Sequence, residues 1–219
     1  MNYHFDWSVV FSRGGLLLRG LELTFEVSIV AQLLALVLGL VVALLRLQPI
    51  LPLRWAAIAF IEVFRSVPLL VLLIWIYYGL PIVVGWDFSP FTAGVLGLGL
   101  LYGANLAEVF RSGLQAVPAG QREAALTLGF GRFRTGLLIV IPQAIRIVIP
   151  ALGNSFVGMI KDATLVSVLG LAEIMRTAQT VVAETFRPFE VYTFVAVVYL
   201  VITIVLGRLL DLLERRTSR

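Results

Sequence analysis

Five stretches of this chain are each apolar over about 20 residues, the length an α-helix needs to cross roughly 30 Å of hydrocarbon. They cover about Thr24–Leu45, Ala56–Gly79, Phe91–Phe110, Ala151–Leu171 and Val191–Leu210. This pattern predicts an all-α polytopic membrane protein with five transmembrane helices and a single domain over residues 1–219. Trp75, Tyr77 and Tyr78 end the second span and suit an aromatic belt at the membrane interface. Between Gly136 and Pro150 an apolar stretch is interrupted by Pro142, Arg146 and Pro150. It reads as a bent lead-in to the fourth span. Composition agrees: 60% of the 219 residues are hydrophobic, 14% are charged and the mean hydropathy is +1.00. An ordinary soluble domain is about half apolar and about a quarter charged.

Several kinds of chemistry are excluded. The chain has no cysteine, which removes disulfides, thiolate metal sites and a cysteine nucleophile. The one histidine, His4, lies in the N-terminal tail, so neither a His-based metal site nor a general base is expected. With no paired carboxylates inside the spans either, a membrane enzyme is hard to assemble. A P-loop needs Gly-Lys followed by Ser or Thr, and the only lysine, Lys161, follows Ile160 inside a span. No clustered basic-aromatic surface points to nucleic acid. Asp6, Arg13 and Arg19 interrupt any apolar core in the first twenty residues, and no small-residue cleavage site follows. The first span is therefore expected to act as an uncleaved signal.

Arginine sets the expected orientation, because loops rich in Lys and Arg stay cytoplasmic. Eleven lie on one side of the five-span reading: Arg46, Arg54, Arg111, Arg122, Arg132, Arg134, Arg146, Arg208, Arg215, Arg216 and Arg219. Four lie on the other: Arg13, Arg19, Arg176 and Arg187. The N-terminus is expected outside and the C-terminus in the cytoplasm.

One short repeat occurs. Glu62-Val63-Phe64-Arg65-Ser66 returns as Glu108-Val109-Phe110-Arg111-Ser112. Glu and Arg three apart share a helix face and can pair. Glu62 with Arg65 and Glu108 with Arg111 read either as charge-neutral anchors at the membrane edge or as a cytoplasmic gate or subunit contact.

The most specific feature is the cytoplasmic loop 111–146. It contains Glu123-Ala124-Ala125, then Gly129, then Ile139-Val140-Ile141-Pro142. Gln121–Leu128 is expected to form a short helix, with Pro118 in its first turn and Gly129 as a left-handed C-cap. Ala124, Ala125 and Leu128 are expected to give it a small apolar face, and Glu123 sits toward its positive N-terminal end. Such a helix suits docking against another protein. It also suits lying on lipid headgroups, held by Arg122, Arg132 and Arg134.

This spacing resembles the EAA signature of the membrane-spanning subunits of bacterial ABC importers, with Ile141 where the family usually has Leu. The likeness runs on through Phe64-Arg65-Ser66-Val67-Pro68-Leu69-Leu70-Val71, Gly120-Gln121-Arg122-Glu123-Ala124-Ala125, Pro142-Gln143-Ala144-Ile145-Arg146 and Lys161-Asp162-Ala163-Thr164-Leu165. In this order the segments resemble the permease subfamily for polar amino acids. Phe5-Asp6-Trp7-Ser8 resembles permeases for acidic amino acids. Ala163 stands for a usual Thr, Thr164 for a usual Ser, Asn105 for a frequent Tyr and Leu72 for a frequent Gln.

The resemblance implies the type I importer fold with a cytoplasmic coupling helix, in the bacterial inner membrane. It implies an ATP-driven importer of a polar amino acid, with Glu123, Ala124, Ala125, Leu128, Gly129 and Pro142 in the contact with the ATPase. The implied partners are a second permease subunit, identical or paralogous, two ABC ATPase subunits and an external amino-acid-binding protein. ATP and Mg would bind in the ATPase, and this chain would hold no cofactor. An ion- or proton-coupled secondary transporter is the rival, although no inverted repeat is evident.

Charged groups inside a span are costly and functional by default. Lys161 and Asp162 fall near the middle of the fourth span. Adjacent helix residues differ by about 100° in direction, so the two cannot face one point. Each either pairs with another helix or partner subunit, or touches substrate. Asn105, Glu108 and Asn154 are further candidates for a substrate pathway. Pro68 removes a backbone hydrogen bond inside the second span, giving either a packed kink or a carbonyl that lines the pathway.

Overall fold

The computed structural model describes residues 3–217, with side chains through residue 212. Arg219 lies outside the described residues, as do the side chains of Arg215 and Arg216. Every regular element among the described residues is helical.

A short α1 (Ser8–Ser12) leads into α2 (Gly14–Arg46), a 33-residue helix that starts ten residues before the expected span. The run then passes through α3 (Leu51–Ser66), α4 (Leu69–Ile74) and, after a π-helical turn over Trp75–Gly79, α5 (Leu80–Val84). Helix α6 (Pro90–Ala116) follows, its N-terminus capped by the Ser89 side chain, which accepts from the Thr92 N–H. Next come α7 (Ala119–Thr127) and α8 (Arg132–Thr135). A π-helical turn over Gly136–Val140 joins α8 to α9 (Ile141–Asp162), and a 3₁₀ segment, Ala163–Leu169, continues α9. Helices α10 (Ile174–Thr185) and α11 (Pro188–Thr217) close the chain.

Among the described residues, four single helical runs are long and apolar enough to cross a membrane: Gly14–Arg46, Pro90–Ala116, Arg132–Leu169 and Pro188–Leu212. The expected second span departs from the one-helix reading. Leu51–Ser66 and Leu69–Val84 meet at 105°, and only as a bent pair do they make a fifth span. The cause is Pro68, which cannot donate to the helix and pushes Val67 into an extended conformation (φ −84°, ψ 128°). Pro68 is thus the cap of α4 at a full break, rather than a kink within one helix.

The fourth span differs in the other direction. Helix runs without interruption from Arg132 to Leu169, so 136–150 belongs to the same run. Pro142 is accommodated because the π-helical turn lies just before it and Pro142 falls in the first turn of α9. The loop expected over 111–146 shortens accordingly, since α6 continues to Ala116 and α8 begins at Arg132.

Helix α6 is the hub. It lies parallel to α2, and the two approach closely because small residues recur every four positions on both. Ala31, Ala35, Gly39 and Ala43 on α2 are buried beside Gly99, Gly103 and Ala107 on α6. A Cβ on Gly39 would come within 2.8 Å of Leu106 Cβ and 3.0 Å of the Gly103 carbonyl. In lipid, where apolar burial does not drive helices together, such small-residue seams and their dispersion contacts do. The main core adds Leu69, Leu73 and Ile76 from the broken span and Met159, Ala163 and Val166 from the end of α9. A second core of Val10, Leu17, Ile174, Ala178, Val191 and Val195 holds α1 and α10 against α2 and α11.

Candidate functional sites

Two sites take shape, one in the middle of the bundle and one on the loop after α6. In the first, Asp162, the last residue of α9, accepts a 2.8 Å hydrogen bond from the hydroxyl of Tyr102. Tyr102 lies halfway along α6, so this carboxylate sits deep in the bundle. The tyrosine is 9% exposed, and its hydroxyl lies over the bare Gly158, where a Cβ would stand 3.0 Å away. Lys161 turns outward: it is exposed and forms no ion pair among the described residues. The 100° separation of neighbours thus sends one charge into the bundle and the other to its surface.

The remaining pathway candidates do not all converge on this point. Asn105 is half-buried one turn beyond Tyr102 on α6, whereas Asn154 is exposed. Glu108 lies six residues past Tyr102, a rise of about 9 Å. It is engaged by two arginines: Arg111 Nε at 3.0 Å and Nη2 at 2.7 Å, and Arg46 from the end of α2. A carboxylate held by two guanidiniums is not a free acceptor. The second copy of the repeat is thus closed as an ion pair. In the first copy Glu62 and Arg65 are both exposed and form no ion pair among the described residues.

In the second site α7 spans Ala119–Thr127, two residues earlier at its start than expected, with Pro118 as N-cap and not in the first turn. Its C-terminus follows the expected form. Gly129 has φ +83°, its N–H donates to Leu126 O at 3.0 Å, and the Phe130 N–H donates to Ala125 O at 3.0 Å. This is a Schellman closure with glycine in the left-handed position. The expected apolar face divides, because Ala125 is 2% exposed and packs inward while Ala124 and Leu128 face outward with Glu123. Phe133, 81% exposed, extends that outward apolar surface.

Arg122 ties this helix to the bundle. Its Nη2 donates to the Leu114 carbonyl at 2.8 Å, satisfying one of the orphan carbonyls at the end of α6. Behind α7 lies a cavity of about 430 Å³ lined by Leu114, Arg122, Leu126, Arg132, Thr135 and Val140, among others. Pro142 stands beyond it, in the first turn of α9.

Three roles were not expected from the sequence: Tyr102 as donor to Asp162, Arg122 as donor to Leu114 and Arg46 as partner of Glu108. Tyr102 stands one turn before Asn105 on the same face of α6, and that spacing was the available signal. Arg122 and Arg46 carried none, since their partners lie on other helices.

Comparisons with known proteins are consistent with this architecture. Residues 35–219 match the family model described as "Binding-protein-dependent transport system inner membrane component". The glutamine transport system permease protein GlnP of Escherichia coli (strain K12) is 38% identical over 213 residues, covering 97% of each chain. The probable amino-acid permease protein YxeN of Bacillus subtilis (strain 168) is also 38% identical, covering 98% of this chain and 96% of its own. A solved amino acid ABC transporter with histidines superposes with a TM-score of 0.93 at 38% identity, covering 98% of this chain and all of that one. These matches favour the ABC importer over an ion- or proton-coupled transporter. On the family match and the near-complete coverage by these relatives, the chain belongs to the family of inner membrane components of binding-protein-dependent transport systems.

Proposed function

We propose that the chain imports a polar amino acid as the permease subunit of an ABC importer, with the energy entering through α7. The observation that carries this reading is the Arg122 hydrogen bond to the Leu114 carbonyl, which links α7 to the end of α6. Two ABC ATPase subunits would bind and hydrolyse Mg-ATP and press on the outward face of Glu123, Ala124, Leu128 and Gly129. Movement there would pass into α6 and reach Tyr102 and Asp162. A second permease subunit, a copy or a paralogue, would complete the pathway, and an external binding protein would deliver the amino acid. The α7 end of the bundle is taken as cytoplasmic.

An amino acid carries an ammonium and a carboxylate, so a transit site needs acceptors and donors. Asp162 offers the acceptor, while Asn105 offers both kinds of group. Pro68, at the break between α3 and α4, leaves backbone groups available where the span opens. Lys161 and Asn154 face outward and are assigned to contact with lipid or a partner subunit. The glutamine transport permease and the amino acid ABC transporter with histidines, to which this chain is similar, support an amino acid as cargo.

Uptake into proteoliposomes tests the reading. The complex of this chain, its ATPase and its binding protein should accumulate radiolabelled glutamine only with internal ATP. Accumulation driven by an imposed proton gradient without ATP would overturn it.

A further inference from the structure

A polar hollow of about 400 Å³ lies at the junction of α2, α3 and α6, lined by Arg46, Leu47, Gln48, Pro49, Arg54, Arg111 and Gln115. The charge there is unbalanced. Arg46 lies in the field of Arg111, Arg54 and Arg65, and of Glu62. Adding Glu108, held by Arg46 and Arg111, leaves four guanidiniums against two carboxylates. Arg54 is exposed and takes part in no ion pair among the described residues. Helix α3 begins between Pro49 and Arg54, and no side chain caps it, so the positive end of its dipole meets the hollow.

The surroundings say where the anion comes from. Arg46 is the last residue of an apolar membrane-crossing helix, which puts the hollow at headgroup depth. Beside it Ile50, Leu51 and Trp55 are 54%, 62% and 63% exposed. A tryptophan and aliphatic side chains next to a basic pocket form the pattern expected where acyl chains lie below a headgroup. A free phosphate would use the arginines and leave this rim bare.

We infer that the Arg46–Arg54–Arg111 hollow binds the phosphate-bearing headgroup of an anionic phospholipid. The lipid would fill the angle between α2 and α3 and brace the end of α6 that receives α7. This inference rests on the membrane assignment and not on which solute is carried.

Native mass spectrometry of the purified complex, stripped of lipid and titrated with phosphatidylglycerol or phosphatidylcholine, tests it. Phosphatidylglycerol should be retained in preference, and Arg54→Gln should weaken it about fivefold, the worth of one arginine near an anionic surface. Arg54→Lys should restore most of that loss, and raised salt should reduce binding. Millimolar inorganic phosphate should fail to displace the lipid. Displacement by phosphate with the same Arg54 dependence would overturn the lipid as source and leave a free-anion site. Equal retention of the two lipids, or unchanged retention in Arg54→Gln, would overturn the site itself.

Discussion

The hydroxyl of Tyr102 donates to Asp162 Oδ2 at 2.8 Å, joining the middle of α6 to the last residue of α9. Tyr102 belongs to the central core with Leu98, Leu106, Met159 and Ala163, and Asp162 is half-buried beside it. A hydrogen bond to a charged acceptor in such surroundings contributes about 1.5–3 kcal/mol. Lys161 points outward, and Asp162 takes part in no ion pair among the described residues. The Tyr102 hydroxyl is thus the partner that holds this carboxyl against α6.

Tyr102→Phe and Asp162→Asn separate those two roles. Tyr102→Phe removes the donor and should destabilise the purified protein by about 1.5–3 kcal/mol. Asp162→Asn keeps an acceptor and should cost less. In uptake assays Asp162→Asn should penalise cationic amino acids more than anionic ones, with normal assembly, as should Asn105→Ala to a smaller degree. Loss of assembled complex that is uniform across substrates would assign the residue to structure alone.

Gly129 is constrained by its backbone and not by space. Nothing lies within 4 Å of a Cβ built there, yet φ is +83°. Gly129→Val should cost about 1–2 kcal/mol locally, enough to open the Schellman closure. Gly129→Asn, which tolerates the left-handed region, should be milder. Substrate-stimulated ATPase activity of the complex reads the difference. Equal stimulation in all three forms would remove α7 from the coupling path.

What a sequence shows of a contact depends on the range of the interaction. The Gly129 cap was legible because a helix stop is local: the left-handed residue and its two hydrogen bonds span six positions. The α2–α6 seam was not legible, since Gly39 and Gly103 gain meaning only once the helices lie parallel. The break at Val67–Pro68 is not legible in the sequence, because an apolar run with a proline looks alike whether it kinks or turns through 105°. The spacing of Glu108 and Arg111 shows that they can pair, but Arg46, sixty-two positions away, leaves no trace in the pattern.

The seam itself can be tested by size. Gly39→Leu drives a side chain into Leu106 and the Gly103 backbone, where neither can retreat. It should abolish the folded, detergent-stable monomer. Gly207, whose Cβ would meet nothing within 4 Å, is the control, and Gly207→Ala should leave thermal stability unchanged or slightly raised.

Orientation is tested by Ser89→Cys and Ser218→Cys, one at the start of α6 and one beyond the described residues. An impermeant thiol reagent added to intact cells should label the first and spare the second. The motive is the arginine asymmetry of eleven to four. The reverse labelling pattern would invert the topology and place α7 outside, where no ATPase could reach it.

Glu173 sets a pH dependence outside the spanning helices. Its carboxylate caps α10, accepting from the N–H groups of Arg176 at 2.7 Å and Met175 at 3.0 Å, and is fully buried. Burial raises its pKa from 4.5 to about 7, against the lowering effect of those two N–H donors and of Thr24. A carboxyl whose folded pKa is raised binds more protons folded than unfolded, so stability falls with rising pH between the two values. The stabilisation is complete below about pH 4.5 and is lost as pH passes about 7. Thermal unfolding in detergent should therefore show a midpoint that declines from pH 5 to pH 8. Glu173→Gln, neutral throughout, should flatten that slope and be the more stable form at pH 8. A slope unchanged by the substitution would assign the pH dependence to other groups and leave Glu173 as a cap alone.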